Sequence, residues 1–222
     1  MPAYDYRLIV FDLDGTLIES RRDLADAANL LVDHYGGRRL DEAAVIGMVG
    51  EGADVLVRRV MEASGIGQPP ADAYRRFIAI YHEVMLRHTF PYPGVAETLE
   101  ALDGRFEMSV LSNKPRESCR IILEELGLAR HFRRIDGGDG PWPKKPDPAG
   151  LLAVVDEVSA SGRAILVGDS PIDLATAHAA GVKACLARYG FGHAKVTDDM
   201  LRGDEWAIDR PQDLLGLVGV LT

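Results

Sequence analysis

Leu8-Ile9-Val10-Phe11-Asp12-Leu13-Asp14-Gly15-Thr16-Leu17 is the stretch whose reading sets the fold of this chain. Its first four residues form an apolar run of strand length. Residues two apart in an extended segment point the same way. Asp12 and Asp14 therefore share one small space where the strand ends, and Gly15 lets the chain turn there. Two carboxylates so close repel unless a cation lies between them or one holds a proton. The pair suits a magnesium site in which one carboxylate is a nucleophile and the other an acid/base. It also suits an ordinary Asp-rich turn, since Asp and Gly are common in turns. The rest of the chain decides between the two.

Beyond Leu17 the periodicity becomes helical. Residues 21–35 carry Leu24, Ala27, Ala28, Leu31 and Val32 on one stripe, and Gly36-Gly37 stops the pattern. Residues 41–49 read as a second helix with Asp41 as its N-cap. Residues 53–63 and 71–88 read as a third and a fourth, and no strand is expected between 20 and 88. This stretch reads as a helical bundle inserted after the first strand. Pro91-Tyr92-Pro93-Gly94 punctuates the return. Strands are then expected at 106–111, 133–136, 164–167, 182–186 and 206–209. Helices are expected at 95–102, 116–126, 149–158, 172–180 and 212–218. That alternation predicts an α/β fold, a doubly wound, mainly parallel Rossmann-like sheet with helices on both faces. Ligands bind such sheets at the carboxyl ends of the strands. The expected division is a core of residues 1–19 and 89–222 and an α-helical cap of 20–88.

Bulk properties narrow the function. With 222 residues, 47% of them apolar, the chain can bury a real core. A formal net charge of -9 argues against nucleic acid or an anionic membrane as partner. No run approaches transmembrane length, and nothing at the N-terminus has the form of a signal peptide. Cys119 and Cys185 lack metal-type spacing and read as reduced thiols of a cytoplasmic protein.

The polar clusters fall at strand ends. One strand ends in Asp12 and Asp14, the next in Ser112-Asn113-Lys114, and another in Gly168-Asp169-Ser170, with Asp173 on the following helical turn. Lys144 and Lys145 lie in the long loop between the last two. Together these look like one assembled site, and they suit phosphoryl transfer. That chemistry needs a nucleophile, a proton donor for the leaving oxygen, and positive charge on the equatorial oxygens. Asp12 can attack phosphorus to form an aspartyl-phosphate. Asp14 can protonate the leaving alkoxide and then activate water. Asp169 can complete a magnesium site with Asp12 and the backbone at Asp14, since magnesium prefers oxygen ligands. Ser112 can hold phosphate oxygens, and a lysine can neutralise transition-state charge.

These four motifs, with Lys145-Pro146-Asp147-Pro148 as the third, resemble those of the haloacid dehalogenase superfamily of phosphohydrolases. The resemblance covers nearly the whole chain. It implies Asp12 as nucleophile, Asp14 as acid/base, Lys145 as the motif lysine, and Asp12, Asp14 and Asp169 as the Mg2+ site. It implies Ser112, with Asn113 and Lys114 beside it, as the phosphate or substrate contact, and Asp173 as a residue acting through water or neighbouring side chains. Within the superfamily, Val49-Gly50-Glu51-Gly52-Ala53-Asp54 and Tyr92-Pro93-Gly94-Val95 are similar to segments of the bacterial phosphoglycolate phosphatases. That similarity implies a small phosphate ester, 2-phosphoglycolate, as substrate of a monomer or homodimer in carbohydrate metabolism.

Rival readings are a sugar-phosphate phosphatase, a mutase or a pyrophosphatase of the same superfamily. A dehalogenase needs no proton donor, so Asp14 argues against it. A non-enzymatic phosphate-sensing module of receiver type lacks a large helical insertion. Arg58 and Arg59 read as a solvated helix face, and Tyr189-Gly190-Phe191-Gly192 as a flexible loop at the site's rim.

Overall fold

The computed structural model describes residues 6–220. The opening apolar run is strand β1, Leu8–Phe11, and all of it is buried. Its side chains divide by parity: Ile9 and Phe11 enter one hydrophobic cluster, Leu8 and Val10 the other. A strand covered on both faces has no polar alternation, which is why it reads as a continuous apolar run. Strands β4 (Glu107–Leu111) and β6 (Ala164–Gly168) flank β1 in parallel. β5 (Arg134–Asp136) continues the sheet beyond β4, and β7 (Lys183–Ala187) and β8 (Trp206–Ile208) continue it beyond β6. The result is a six-stranded parallel sheet in the order β5-β4-β1-β6-β7-β8.

Helices cover both faces. α5 (Val95–Leu102), α6 (Arg116–Glu125) and the short α9 (Asp213–Leu217) pack in the cluster of Ile9 and Phe11. α7 (Ala149–Glu157) and α8 (Pro171–Ala180) pack on the face of Leu8 and Val10. The chain runs outward from β1 through β4 to β5, then restarts at β6 and runs the other way. The carboxyl ends of β4, β1 and β6 are thus neighbours at the switch in strand order, where an open parallel sheet forms a crevice.

Between β1 and α5 the chain leaves this sheet. It passes through β2 (Ile18–Glu19), four helices, and β3 (Phe90–Pro91). The helices are α1 (Arg21–His34), α2 (Glu42–Gly47), α3 (Ala53–Ala63) and α4 (Ala73–Val84). α1 packs on α2, α3 and α4, and α3 packs on α4. Their buried stripes, such as Leu56, Val57 and Val60 on α3, follow the helical period.

Two details differ from the sequence reading. The outgoing and returning linkers pair as the two-stranded antiparallel sheet β2-β3, Ile18 opposite Pro91. Strands of two residues are too short to show a period of two. The fourth helix also ends at Val84 rather than near His88. Its continuation is captured by Asp23 of α1, whose fully buried carboxylate accepts the His88 N–H at 2.9 Å, the Thr89 N–H at 2.9 Å and the Thr89 hydroxyl at 2.8 Å. Asp23→Ala leaves these donors unsatisfied in a dry site. It should lower stability by about 2–4 kcal/mol, a fall of roughly 4–16 °C in Tm for a chain of this size. A calorimetric shift below about 1 °C would show that the linkers are held by something else.

Candidate active site

β1 ends by donating the Asp12 N–H to the Val167 carbonyl at 2.9 Å, so the ladder still directs the backbone at Asp12. Leu13 turns into the core, fully buried, while Asp12 and Asp14 line the same cavity. Gly15 then turns the chain with φ +86°, and a Cβ there would stand 2.0 Å from Oδ2 of Asp169. Turn and close approach both demand glycine at this position.

Three carboxylates converge. Asp12, Asp169 and Asp173 each offer an oxygen, and these oxygens lie within 4.8 Å of one another. Asp173 sits in the first turn of α8, where its Oδ2 accepts the Ser170 N–H at 3.1 Å and the Ser170 hydroxyl at 2.6 Å in a capping box. The Lys145 ammonium stands 2.6 Å from Asp173 Oδ1 and 2.9 Å from Asp12 Oδ1. The second contact is an ion pair without hydrogen-bond alignment, and it leaves Asp12 Oδ1 buried with no aligned donor. Burial, partly offset by Lys145 and reinforced by Asp173, pushes the Asp12 pKa up to about 6. Burial, with Asp173 and Asp12 beside it, lifts Asp169 well above the carboxylate range. For Lys145, burial pulls the pKa down, but Asp12 and Asp173 outweigh it and the net shift is upward.

Asp14 stands apart from this trio. Its Oδ1 accepts the Ser20 hydroxyl at 2.5 Å and pairs with the Lys114 ammonium at 2.9 Å. Lys114 in turn donates to the Tyr81 hydroxyl at 2.5 Å and lies 4.5 Å from the centre of the Tyr81 ring. Burial lowers the Lys114 pKa, yet Asp14 and Tyr81 raise it more. Four carboxylates, those of Asp12, Asp14, Asp169 and Asp173, thus face two ammoniums, Lys114 and Lys145. Were all four ionised they would outnumber those two ammoniums, and burial with mutual repulsion answers by raising the Asp12 and Asp169 pKa values. An oxygen-only cluster of Asp12, Asp169 and Asp173, whose mutual repulsion a cation would relieve, fits a divalent ion such as magnesium.

The remaining sequence-derived residues fall at the same edge in different roles. Ser112 is buried, lines the cavity, and donates its N–H to the Asp136 carbonyl at 3.0 Å. The Asn113 side chain is committed to backbone: it donates to the Gly50 and Lys145 carbonyls at 3.0 and 2.8 Å and accepts the Lys145 N–H at 2.8 Å. It positions the lysine loop and leaves only its own backbone for a ligand. Lys144 turns away to pair with Asp54 at the start of α3.

Other participants carry no local signal in the sequence. The segment 189–192 is no free loop at the rim. Gly192 donates its N–H to Asp169 Oδ2 at 2.6 Å, and the Tyr189 hydroxyl donates to the Thr16 carbonyl at 2.9 Å. Lys195 reaches across to the Ile46 and Val49 carbonyls at the end of α2, at 3.2 and 2.9 Å. Arg59 is tied to Glu51 and to the Met48 carbonyl rather than freely solvated. Tyr81 has the spacing of an ordinary core residue beside Phe77 and Val84. The helical segment overhangs a cavity of about 390 Å3 at the carboxylates, walled by Gly50, Glu51, Gly52 and Tyr81 on one side and by Asp12 and Asp169 on the other.

Comparison with known proteins agrees with this geometry. A family described as haloacid dehalogenase-like hydrolase matches residues 9–187. A Rhodospirillum rubrum protein named phosphoglycolate phosphatase is 40% identical over 90% of this chain and 90% of its own length. Phosphoglycolate phosphatase 1 of Pseudomonas aeruginosa is 37% identical over 94% of this chain and 78% of its own. A crystal structure described as a predicted phosphoglycolate phosphatase from Haemophilus somnus superposes with a TM-score of 0.89 at 30% identity, over 96% of this chain and 98% of that one. Among the described residues, no helix is long and apolar enough to cross a membrane.

Proposed function

This chain belongs to the haloacid dehalogenase-like hydrolase family and is a phosphoric monoester hydrolase, and from that premise we propose that it hydrolyses 2-phosphoglycolate to glycolate and phosphate. The observation that carries the reading is the set of four carboxylates and two lysines at the carboxyl edge of the sheet, lining one cavity beneath the helical segment.

Asp12 attacks phosphorus, and the bond between phosphorus and the ester oxygen breaks. Asp14 gives a proton to the departing alkoxide. It then takes a proton from the water that attacks the aspartyl-phosphate, which frees phosphate and restores Asp12. Lys145, held by Asp173, neutralises charge on Asp12 and on the phosphoryl oxygens. Ser112 supplies a hydroxyl to the phosphate. Asp12 and Asp169, with the backbone at Asp14, would hold magnesium, with Asp173 beside them tied to Lys145 and Ser170; the ion would offset negative charge and polarise the phosphoryl group. Residues 20–88 act as a cap that excludes water during the transfer.

Substrate choice rests on charge more than on volume. A cavity of about 390 Å3 would also admit esters larger than 2-phosphoglycolate. A substrate with a second anionic group gains from a further cation on the cavity wall. Lys195 fits that role, because its ammonium is met by carbonyl oxygens rather than by a carboxylate. In a panel at matched magnesium, kcat/KM for 2-phosphoglycolate should exceed that for hexose phosphates, nucleotides and pyrophosphate by tenfold or more. If a hexose phosphate or pyrophosphate wins by tenfold, about 1.4 kcal/mol of transition-state preference, this substrate is wrong and the phosphatase chemistry stands. Product analysis separates transfer to water from transfer to a second sugar hydroxyl, which a mutase would give.

A further inference from the structure

Both donors to Asp14 fall on the same oxygen. The Ser20 hydroxyl and the Lys114 ammonium reach Oδ1 at 2.5 and 2.9 Å. Oδ2 therefore remains as the oxygen able to exchange a proton with a leaving group in the cavity. What holds Lys114 in place is a residue of another element. The Tyr81 hydroxyl on α4 accepts from its ammonium at 2.5 Å. Tyr81 is itself only 2% exposed and stacks on Phe77 with the rings 5° from parallel, so its position is rigid.

We propose that Tyr81 is a positioning residue for the acid/base step: through Lys114 it pins Oδ1 of Asp14 and so presents Oδ2 to the leaving oxygen. The Tyr81 hydroxyl meets the Lys114 ammonium and not the Asp14 carboxylate, so it acts through that ammonium. Lys114 and Asp14 belong to loops at the sheet edge, whereas Tyr81 belongs to the helical segment above them. The acid/base group is thus fully oriented only while α4 sits over the site. A hydrogen bond from a buried ammonium is strong in a dry setting. The contact is worth keeping rigid because general acid catalysis falls steeply with misalignment.

The inference rests on the acid role of Asp14 proposed above, and its test separates the two. Phenyl phosphate and 4-nitrophenyl phosphate have nearly the same shape, but only the first depends strongly on protonation of its leaving group. Wild-type enzyme must hydrolyse both with magnesium and show a leaving-group dependence that Asp14→Asn steepens. If it does not, the acid assignment fails on the wild type and Asp14→Asn alone, and this inference falls with it. Given that result, Tyr81→Phe should lower kcat/KM for phenyl phosphate about tenfold more than for 4-nitrophenyl phosphate. The ratio of the two rates comes from one preparation, so any unfolded fraction cancels. An unchanged ratio, even with both rates reduced, would assign Tyr81 to packing alone and overturn the proposal. Lys114→Met should shift the ratio in the same direction. In that background Tyr81→Phe should shift it no further, because the hydroxyl then has no ammonium to hold. An additive shift from Tyr81→Phe, or no shift from Lys114→Met, would equally overturn it. Lys114→Met with and without Tyr81→Phe also decides the matter should the single Tyr81 variant fail to fold.

Discussion

Asp12→Asn should lower kcat on every phosphate ester by about 10⁴-fold or more. An amide has no lone pair fit to attack phosphorus, and no other carboxylate stands where the backbone of β1 delivers this one. Asp14 is pinned by Ser20 and Lys114, and Asp173 is closed by its capping box. The fold should survive. Asn keeps the volume of Asp and removes a carboxylate whose pKa is pushed up to about 6 by burial, partly offset by Lys145 and reinforced by Asp173. A folded-state pKa above the ordinary value means that the ionised form is disfavoured by folding. Without metal, Asp12 therefore costs stability as pH rises through about 6, and Asn does not titrate. In chelator at pH 7.5 the variant should melt no lower than wild type. Rapid quench of wild type with labelled substrate should trap a base-labile acyl-phosphate on Asp12, and the variant should trap none. Near-normal turnover by Asp12→Asn, with deamidation excluded by mass, would refute covalent catalysis at this residue.

Chelation should be as damaging. Asp12, Asp169 and Asp173 crowd one small space, and without a cation their ionised forms repel one another and an incoming phosphate. Thorough EDTA treatment should reduce turnover to background, and magnesium should restore it. Binding can be read without activity. A cation at a hundred times its Kd stabilises the native state by about 2.7 kcal/mol, or roughly 5–10 °C in Tm for a chain of this length. Protons compete with the cation for Asp12 and Asp169, whose pKa values are both raised. The Tm shift should therefore be largest well above pH 6 and fade below it. Full activity after rigorous chelation, or a Tm indifferent to magnesium at pH 8, would refute the metal assignment. Asp169→Asn should abolish the shift even where residual turnover is too small to measure.

Much of this was legible along the chain, for identifiable reasons. Parallel strands buried on both faces are apolar throughout, so β1, β4 and β6 stand out as runs, and a doubly wound sheet follows from their alternation with helices. A strand delivers its last side chains in a known direction, so Asp12, Ser112 and Asp169 could be placed at one edge from local pattern alone. The helical segment is likewise visible, because amphipathic stripes such as Leu24, Ala28 and Leu31 are properties of short windows. What the chain could not show is which side chains meet across long separations. Asn113 has the look of a phosphate ligand, yet its amide bonds the backbone of Lys145 and Gly50. Asp173 joins Asp12 and Asp169 in the carboxylate trio, while the Asp14 side chain turns aside to Lys114. Gly192 closes on Asp169, and Lys195 reaches the end of α2. Tyr81 carries the spacing of a core residue and supplies the hydroxyl that holds Lys114. Spacing in sequence determined which elements form and which of their ends carry charge, because those follow from backbone period. Partner choice among the charges was left to the tertiary structure, because a buried ion pair depends on distance and desolvation in three dimensions, and neither has a period in the sequence.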